Sequence, residues 1–193
     1  MQFMNIVSSL TKAVTLHMKN RPAVFFDRDG VLNEDIGYLY KKEDFKWVQG
    51  AIETIKYFNE HEYLVFVITN QSGVARGYYT EVDVQKLHGW MNAELAKYDA
   101  HIDEFFYCPH HVKGIVAEYS CDCACRKPKT GMLDKAFAEY SIDKDRSIMI
   151  GDKESDMECA AKAGIRGIQF SGGNLFNDCV RQFINSTKNE GHY

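Results

Sequence analysis

The chain has 193 residues, with 23 basic against 27 acidic side chains and a formal net charge of −4. That length fits one domain with a substantial core, and 45% hydrophobic with 26% charged residues is ordinary for a globular chain. The negative balance excludes nucleic acid and anionic membranes as general partners, and no apolar run reaches the ~20 residues that span a bilayer.

Phe3, Ile6, Val7, Leu10 and Val14 stand at helical spacing, which predicts an amphipathic helix over residues 3–17. Residues 1–20 are therefore read as a helical extension that docks on the domain or pairs subunits, and 21–193 as a single domain. A monomer is expected, with a dimer through 1–20 as the alternative. Lys12, His17 and Lys19 interrupt this segment, which lacks a signal peptide's apolar core, so a cytoplasmic, reducing setting is expected. The six cysteines then need an explanation other than disulfides.

From Pro22 the rhythm changes. The run 23–26, AVFF, predicts a buried strand ending at Asp27; residues 50–60 predict a helix, and 63–69 a second buried strand. Thr80 opens a helix through about Tyr98, with Asp83 placed for a capping box. A third strand is read over 102–108, followed by a Cys- and His-rich loop to Arg126. Then come a helix from Gly131 to Tyr140, a strand over 147–152, a helix from Ser155 to Ala163, a strand over 165–170 and a terminal helix over 174–186. This alternation predicts an α/β fold, a Rossmann-like parallel sheet with helices on both faces.

In open α/β sheets ligands bind beyond the carboxyl ends of the strands. Three expected strands end in groups suited to phosphate chemistry: Asp27 with Asp29, Thr69 with Asn70, and Asp152. An ionised Asp27 is a nucleophile for phosphorus, and Asp29, two residues on, is placed to protonate an alkoxide leaving group and later to deprotonate water. An Asp-x-Asp-Gly surface turn is the competing reading of that tetrapeptide alone. Two anions beside a phosphate need a cation; Asp27, the Asp29 backbone carbonyl and Asp152 suit Mg²⁺, which prefers oxygen ligands and keeps waters. Asp156 is read as a water-mediated ligand, as an orienter of Lys153, or as a first-turn residue favoured by the helix dipole. The turn Asn70-Gln71-Ser72 offers amides to a phosphate, and Lys127 supplies a point charge for its equatorial oxygens. Arg126 and Lys153 are two further cations that a second phosphate on the substrate would explain, rim salt bridges being the plainer alternative.

Joined together, these pieces resemble the haloacid-dehalogenase-like phosphatase superfamily. FFDRDGVLN (25–33), ITNQSG (68–73), RKPKTGM (126–132) and MIGDKESD (149–156) resemble its four motifs in order. The resemblance implies Asp27 as nucleophile, Asp29 as general acid/base, Thr69 and Lys127 as phosphoryl stabilisers, and Asp152 as a magnesium ligand. CPHH (108–111) and CACRKP (123–128) resemble a zinc-loop subgroup containing heptose bisphosphate and histidinol phosphate phosphatases. Cys108, His110, Cys123 and Cys125 would then fill a tetrahedral, structural zinc site, with Cys121 and His111 as competitors. Free reduced cysteines are the plain alternative for the cluster. Cys159 and Cys179 fall on expected helices and are read as core.

The short spacing between motifs leaves no room for a large cap domain. DIGY (35–38) matches a substrate-contacting segment of the heptose bisphosphatases, so Asp35, Gly37 and Tyr38 join Asn70, Gln71, Ser72, Arg126 and Lys153 as expected substrate contacts. The resemblance implies hydrolysis of the 7-phosphate of a heptose 1,7-bisphosphate through a phospho-aspartyl intermediate, in bacterial nucleotide-activated heptose synthesis serving lipopolysaccharide. Histidinol phosphate hydrolysis is the first alternative. A non-catalytic phosphate-binding or phospho-accepting module is the second.

Overall fold

A computed structural model describes residues 20–184. Five strands, β1 (Arg21–Phe26), β2 (Leu64–Asn70), β3 (Glu104–Cys108), β4 (Ile142–Gly151) and β5 (Arg166–Gln169), form one sheet in the order β3-β2-β1-β4-β5. Every pairing is parallel: Val24 stands opposite Val65 and Ile148, and Phe26 opposite Val67 and Ile150. Parallel neighbours need crossovers, supplied by α1 (Ala51–Glu60), α2 (Glu81–Leu95), α3 (Gly131–Glu139) and α4 (Glu154–Ala163). The expected α/β class and the positions of the strands hold.

Alternation along the strands sorts the core into two layers. Val24, Phe26, Val65, Val67, Ile148 and Ile150 face Ile55 and Phe58 of α1 and Leu87 and Met91 of α2. Ala23, Phe25, Phe66, Ile68 and Met149 face Leu133 and Ala136 of α3 and Cys159 and Ala160 of α4. All are nearly or fully buried, and each large one contributes roughly 1.5–3 kcal/mol of transfer free energy. Because both faces are covered, the strands read as continuous apolar runs. Cys159 and Cys179 are core residues as expected.

The differences from expectation are local. The β4 strand starts five residues early, at Ile142, because Arg21 and Pro22 pair with Ile142 and Asp143 before a shift in register. The polar run Asp143–Arg146 hides that extension from a hydrophobicity reading. The Thr80 cap forms with Asp83, donating and accepting in both directions, but α2 ends at Leu95 and tightens into a 3₁₀ turn over Ala96–Tyr98. The terminal helix opens with a wide π-type turn at Phe176–Val180. The helix expected at 3–17 lies outside the described residues. Between β1 and β2 the chain carries only short bridges, a 3₁₀ turn and α1, so no cap domain stands there. Among the described residues no helix is long and apolar enough to cross a membrane.

Candidate active site

The central strands β1 and β4 run side by side and end together, which brings Asp27 and Asp152 to one edge of the sheet. Asp27 Oδ1 accepts from the Arg28 backbone N–H at 2.7 Å and faces Lys127 Nζ at 2.9 Å. Its Oδ2 accepts no hydrogen bond from the described residues. Burial pushes the Asp27 carboxyl up to about 6, against the pull of Lys127 and with a further push from Asp156. Lys127 is itself 4% exposed, and its ammonium is held at 2.7 Å from Asp156 and 2.8 Å from the Ile68 carbonyl. Burial alone would lower its pKa, yet Asp27 and Asp156 outweigh that and keep it cationic.

Asp156 sits in the first turn of α4 and holds the Lys153 backbone, as two of its expected readings had it, and it has a further partner that none of them named. One oxygen binds Lys127, and the other accepts the Lys153 backbone N–H at 3.1 Å. With both oxygens engaged, this fully buried residue positions the two lysine segments, and the Lys153 side chain turns elsewhere. Lys153 Nζ donates to Asp35 at 3.2 Å and lies 3.7 Å from Asp152, so it is the rim salt bridge that was the plainer reading. Burial raises Asp35, but the Gly37 amide and Lys153 more than reverse this. Arg126, by contrast, has no carboxylate within ion-pair distance among the described residues; it reaches the His110 carbonyl at 3.4 Å.

Asp27, Asp152 and Asp156 each offer an oxygen within 4.8 Å of the others. Asp152 Oδ1 is buried without a hydrogen-bond partner, and burial pushes this carboxyl up as well. Gly30, at φ 92°, is what lets that carboxylate approach: a Cβ there would stand 2.5 Å from Asp152 Oδ2. An unpartnered buried carboxylate oxygen beside a second carboxylate fits a hard divalent cation.

Asp29 opens onto the same cavity, of about 560 Å³, as do Asp27, Thr69 and Lys127. The Asp29 carboxylate accepts from Arg28 at 2.9 Å, Asn33 at 3.0 Å and Gln71 at 2.9 Å. The eight residues expected to contact substrate all line this cavity. Two of them are partly committed inward. Asn70 exchanges hydrogen bonds with the Lys127 backbone, 3.1 Å to its N–H and 3.2 Å to its carbonyl, and Gln71 is 1% exposed with both amide atoms bonded. Tyr38 and Tyr78 meet edge to face at the rim, 4.7 Å between centroids.

Beside the cavity, the loop between β3 and α3 gathers Cys108, His110, Cys123 and Cys125, with one donor atom from each inside 4.8 Å. The Cys108–Cys123 and Cys123–Cys125 sulfurs are 3.4 and 3.2 Å apart, and His110 Nδ1 lies 3.4 Å from Cys125. Tetrahedral zinc with Zn–S near 2.3 Å wants sulfurs about 3.8 Å apart, so four converging N/S donors fit that ion after slight opening. His111 is occupied instead by the Lys113 amide and Arg76, and Cys121 is exposed outside the cluster.

Reading the sequence missed Arg28, which is completely buried. Its guanidinium bonds Asp29, the Leu39 carbonyl and Gln71, and lies 3.3 Å from His88 Nε2. Burial first, then Arg28, hold His88 well below its ordinary range, so it stays neutral and accepts. The only sequence signal was an arginine between two motif aspartates.

A family model described as HAD-hydrolase-like matches residues 124–182. A Rhodopseudomonas palustris protein named D-glycero-beta-D-manno-heptose-1,7-bisphosphate 7-phosphatase is 44% identical over 84% of this chain and 90% of its own. A Campylobacter jejuni relative, named for the alpha anomer, is 49% identical over 74% of this chain and 78% of its own. Among solved structures, the D,D-heptose 1,7-bisphosphate phosphatase of B. bronchiseptica, complexed with magnesium and phosphate, superposes with a TM-score of 0.70 at 29% identity, covering 83% of this chain and 86% of that one. With its sheet order, its strand-end acids and these relatives, the chain belongs to the heptose-1,7-bisphosphate 7-phosphatase family of haloacid-dehalogenase-like hydrolases.

Proposed function

We propose that this chain hydrolyses the 7-phosphate of a D-glycero-D-manno-heptose 1,7-bisphosphate, with Asp27 as the phosphoryl acceptor. The observation that supports this most is the convergence of Asp27, Lys127 and Asp156 in one buried cluster beside the unpartnered oxygen of Asp152. Asp27 Oδ1 is pinned by two donors, which aims the free Oδ2 at phosphorus. Lys127 and the Thr69 hydroxyl meet the charge that develops on the equatorial oxygens. Asp29 protonates the departing sugar oxygen, then takes a proton from the water that releases phosphate from Asp27. Asp27, Asp152 and the Asp29 carbonyl would hold Mg²⁺, which supplies charge neutralisation between carboxylates and phosphate.

Arg126, with no carboxylate within ion-pair distance among the described residues, suits the second phosphate better than the already paired Lys153. Zinc on Cys108, His110, Cys123 and Cys125 would stiffen a loop that holds only one 3₁₀ turn, and so fix the neighbouring Arg126 and Lys127. The test is phosphate release from both anomers of heptose 1,7-bisphosphate and from histidinol phosphate, with and without Mg²⁺. A magnesium-dependent preference for a heptose bisphosphate is expected. A better specificity constant for histidinol phosphate would contradict the substrate assignment.

A further inference from the structure

Tyr79 belongs to none of the motifs, yet it is 6% exposed and its hydroxyl donates to Gln71 Oε1 at 2.7 Å. Its ring stacks on Tyr40, 5.1 Å between centroids and 22° between planes. It also lies directly across Gly73, where a Cβ would collide with the ring, so this tyrosine and that glycine are a matched pair. Burial pushes the phenol up to about 12, so it remains a donor throughout the physiological range.

The chemistry of the partners then fixes the glutamine. Arg28 has no acceptor atom, and its Nη2 approaches Gln71 Oε1 at 3.2 Å. With Arg28 and Tyr79 both donating there, that atom is the carbonyl oxygen, and the amide nitrogen faces Asp29 Oδ2 and Thr69 Oγ1, each at 2.9 Å. Because Thr69 Oγ1 accepts from Gln71, its own hydrogen must be donated elsewhere. Among the described residues no acceptor takes it, and Thr69 opens onto the cavity.

We propose that Tyr79 is a positioning residue for phosphoryl transfer, acting through Gln71 to direct the Thr69 hydroxyl at the phosphate and to hold Asp29 at the leaving oxygen. This rests on the phosphotransfer reading above. One buried phenol thereby coordinates a transition-state donor and the general acid/base, which come from different elements of the chain.

Two substrates separate the two arms. A nitrophenolate leaving group needs no proton, whereas a sugar alkoxide does. Tyr79→Phe keeps the stacking and removes only the hydroxyl. In the full-length, metal-loaded protein it should lower kcat/KM about tenfold on heptose bisphosphate, with KM within about twofold, and distinctly less on 4-nitrophenyl phosphate. Gln71→Glu, which sets an acceptor against Asp29 and Thr69, should lose more on both substrates. Wild-type rates in Tyr79→Phe would overturn the inference, and so would equal losses on both substrates accompanied by a lowered Tm. A wild-type protein inactive on both would instead overturn the phosphotransfer reading, and this one with it.

Discussion

The molecule carries two clusters of ligating groups side by side, built in opposite ways. The carboxylates of the acidic cluster, Asp27, Asp152 and Asp156, stand at the ends of β1 and β4 and the start of α4, over a two-layer core, and Lys127 reaches them from the segment before α3. Its parts come from distant stretches of sequence, and the sheet aligns them before any ligand arrives. The Cys108–Cys125 cluster comes from one segment with a single 3₁₀ turn, and three of its four donors lie on the loop itself. Packed strands organise the first; the second rests on the core through Cys108, Cys123 and Cys125, but its loop has little regular structure to fix the donors. The two should therefore fail differently, since loss of a strand-end group removes chemistry from an intact fold, whereas loss of a loop ligand slackens geometry.

The sharpest way to break that contrast is Asp27→Asn, which should reduce turnover by about five orders of magnitude while leaving Tm within a few degrees. Residual hydrolysis close to wild type would remove Asp27 from the reaction. Cys123→Ala, or zinc chelation, should cost roughly 10- to 100-fold in activity with the far-ultraviolet circular dichroism of the sheet retained. Global unfolding by the chelator would show that the loop ion holds the whole domain together.

The acidic cluster also predicts a pH signature. The metal-free fold favours protonated Asp27, whose carboxyl is raised from 3.8 to about 6, so that contribution to stability is lost as pH rises through about 6. Mg²⁺ binds the anion, so its thermal stabilisation should grow as pH rises through about 6. Below that, its affinity should fall by up to about tenfold per pH unit. A Mg²⁺ shift that is flat from pH 5 to 8 would contradict this. The smallest effect is expected at the junction of the two regions: Arg126→Ala should raise KM about tenfold for the bisphosphate and leave a heptose 7-monophosphate nearly unchanged. An equal rise for both would move the second phosphate elsewhere.

How much of this was legible in the sequence follows the same division. Asp27, Thr69 and Asp152 could be found because an apolar run ending in a polar residue, repeated through an alternating α/β pattern, marks one edge of a parallel sheet. The Cys/His cluster was legible from Cys-x-His and Cys-x-Cys spacing together with the family resemblance, which favoured Cys123 and Cys125 where Cys121 could compete. The pairing of Arg28 with His88 was not, because the partners are 60 residues apart and both are charged or polar types that normally face water. Asp156 was legible as a first-turn residue that orients Lys153, but only the crossing of β2, Lys127 and α4 shows that its carboxylate also serves the Lys127 ammonium. Asn70 and Gln71 were expected at the substrate, and they do line the cavity. Their hydrogen bonds run largely inward, to the Lys127 backbone and to Thr69 and Asp29, where a turn motif gives no sign of them.

Covalent capture of phosphate by a single carboxylate is the step on which the proposed chemistry depends. Acid-quenching the enzyme during turnover of heptose 1,7-bisphosphate and mapping the peptides by mass spectrometry tests it directly. The phosphate should be found on Asp27 and be absent from the Asp27→Asn protein. Full turnover with no phosphorylated peptide, or phosphate on any other residue, would contradict it.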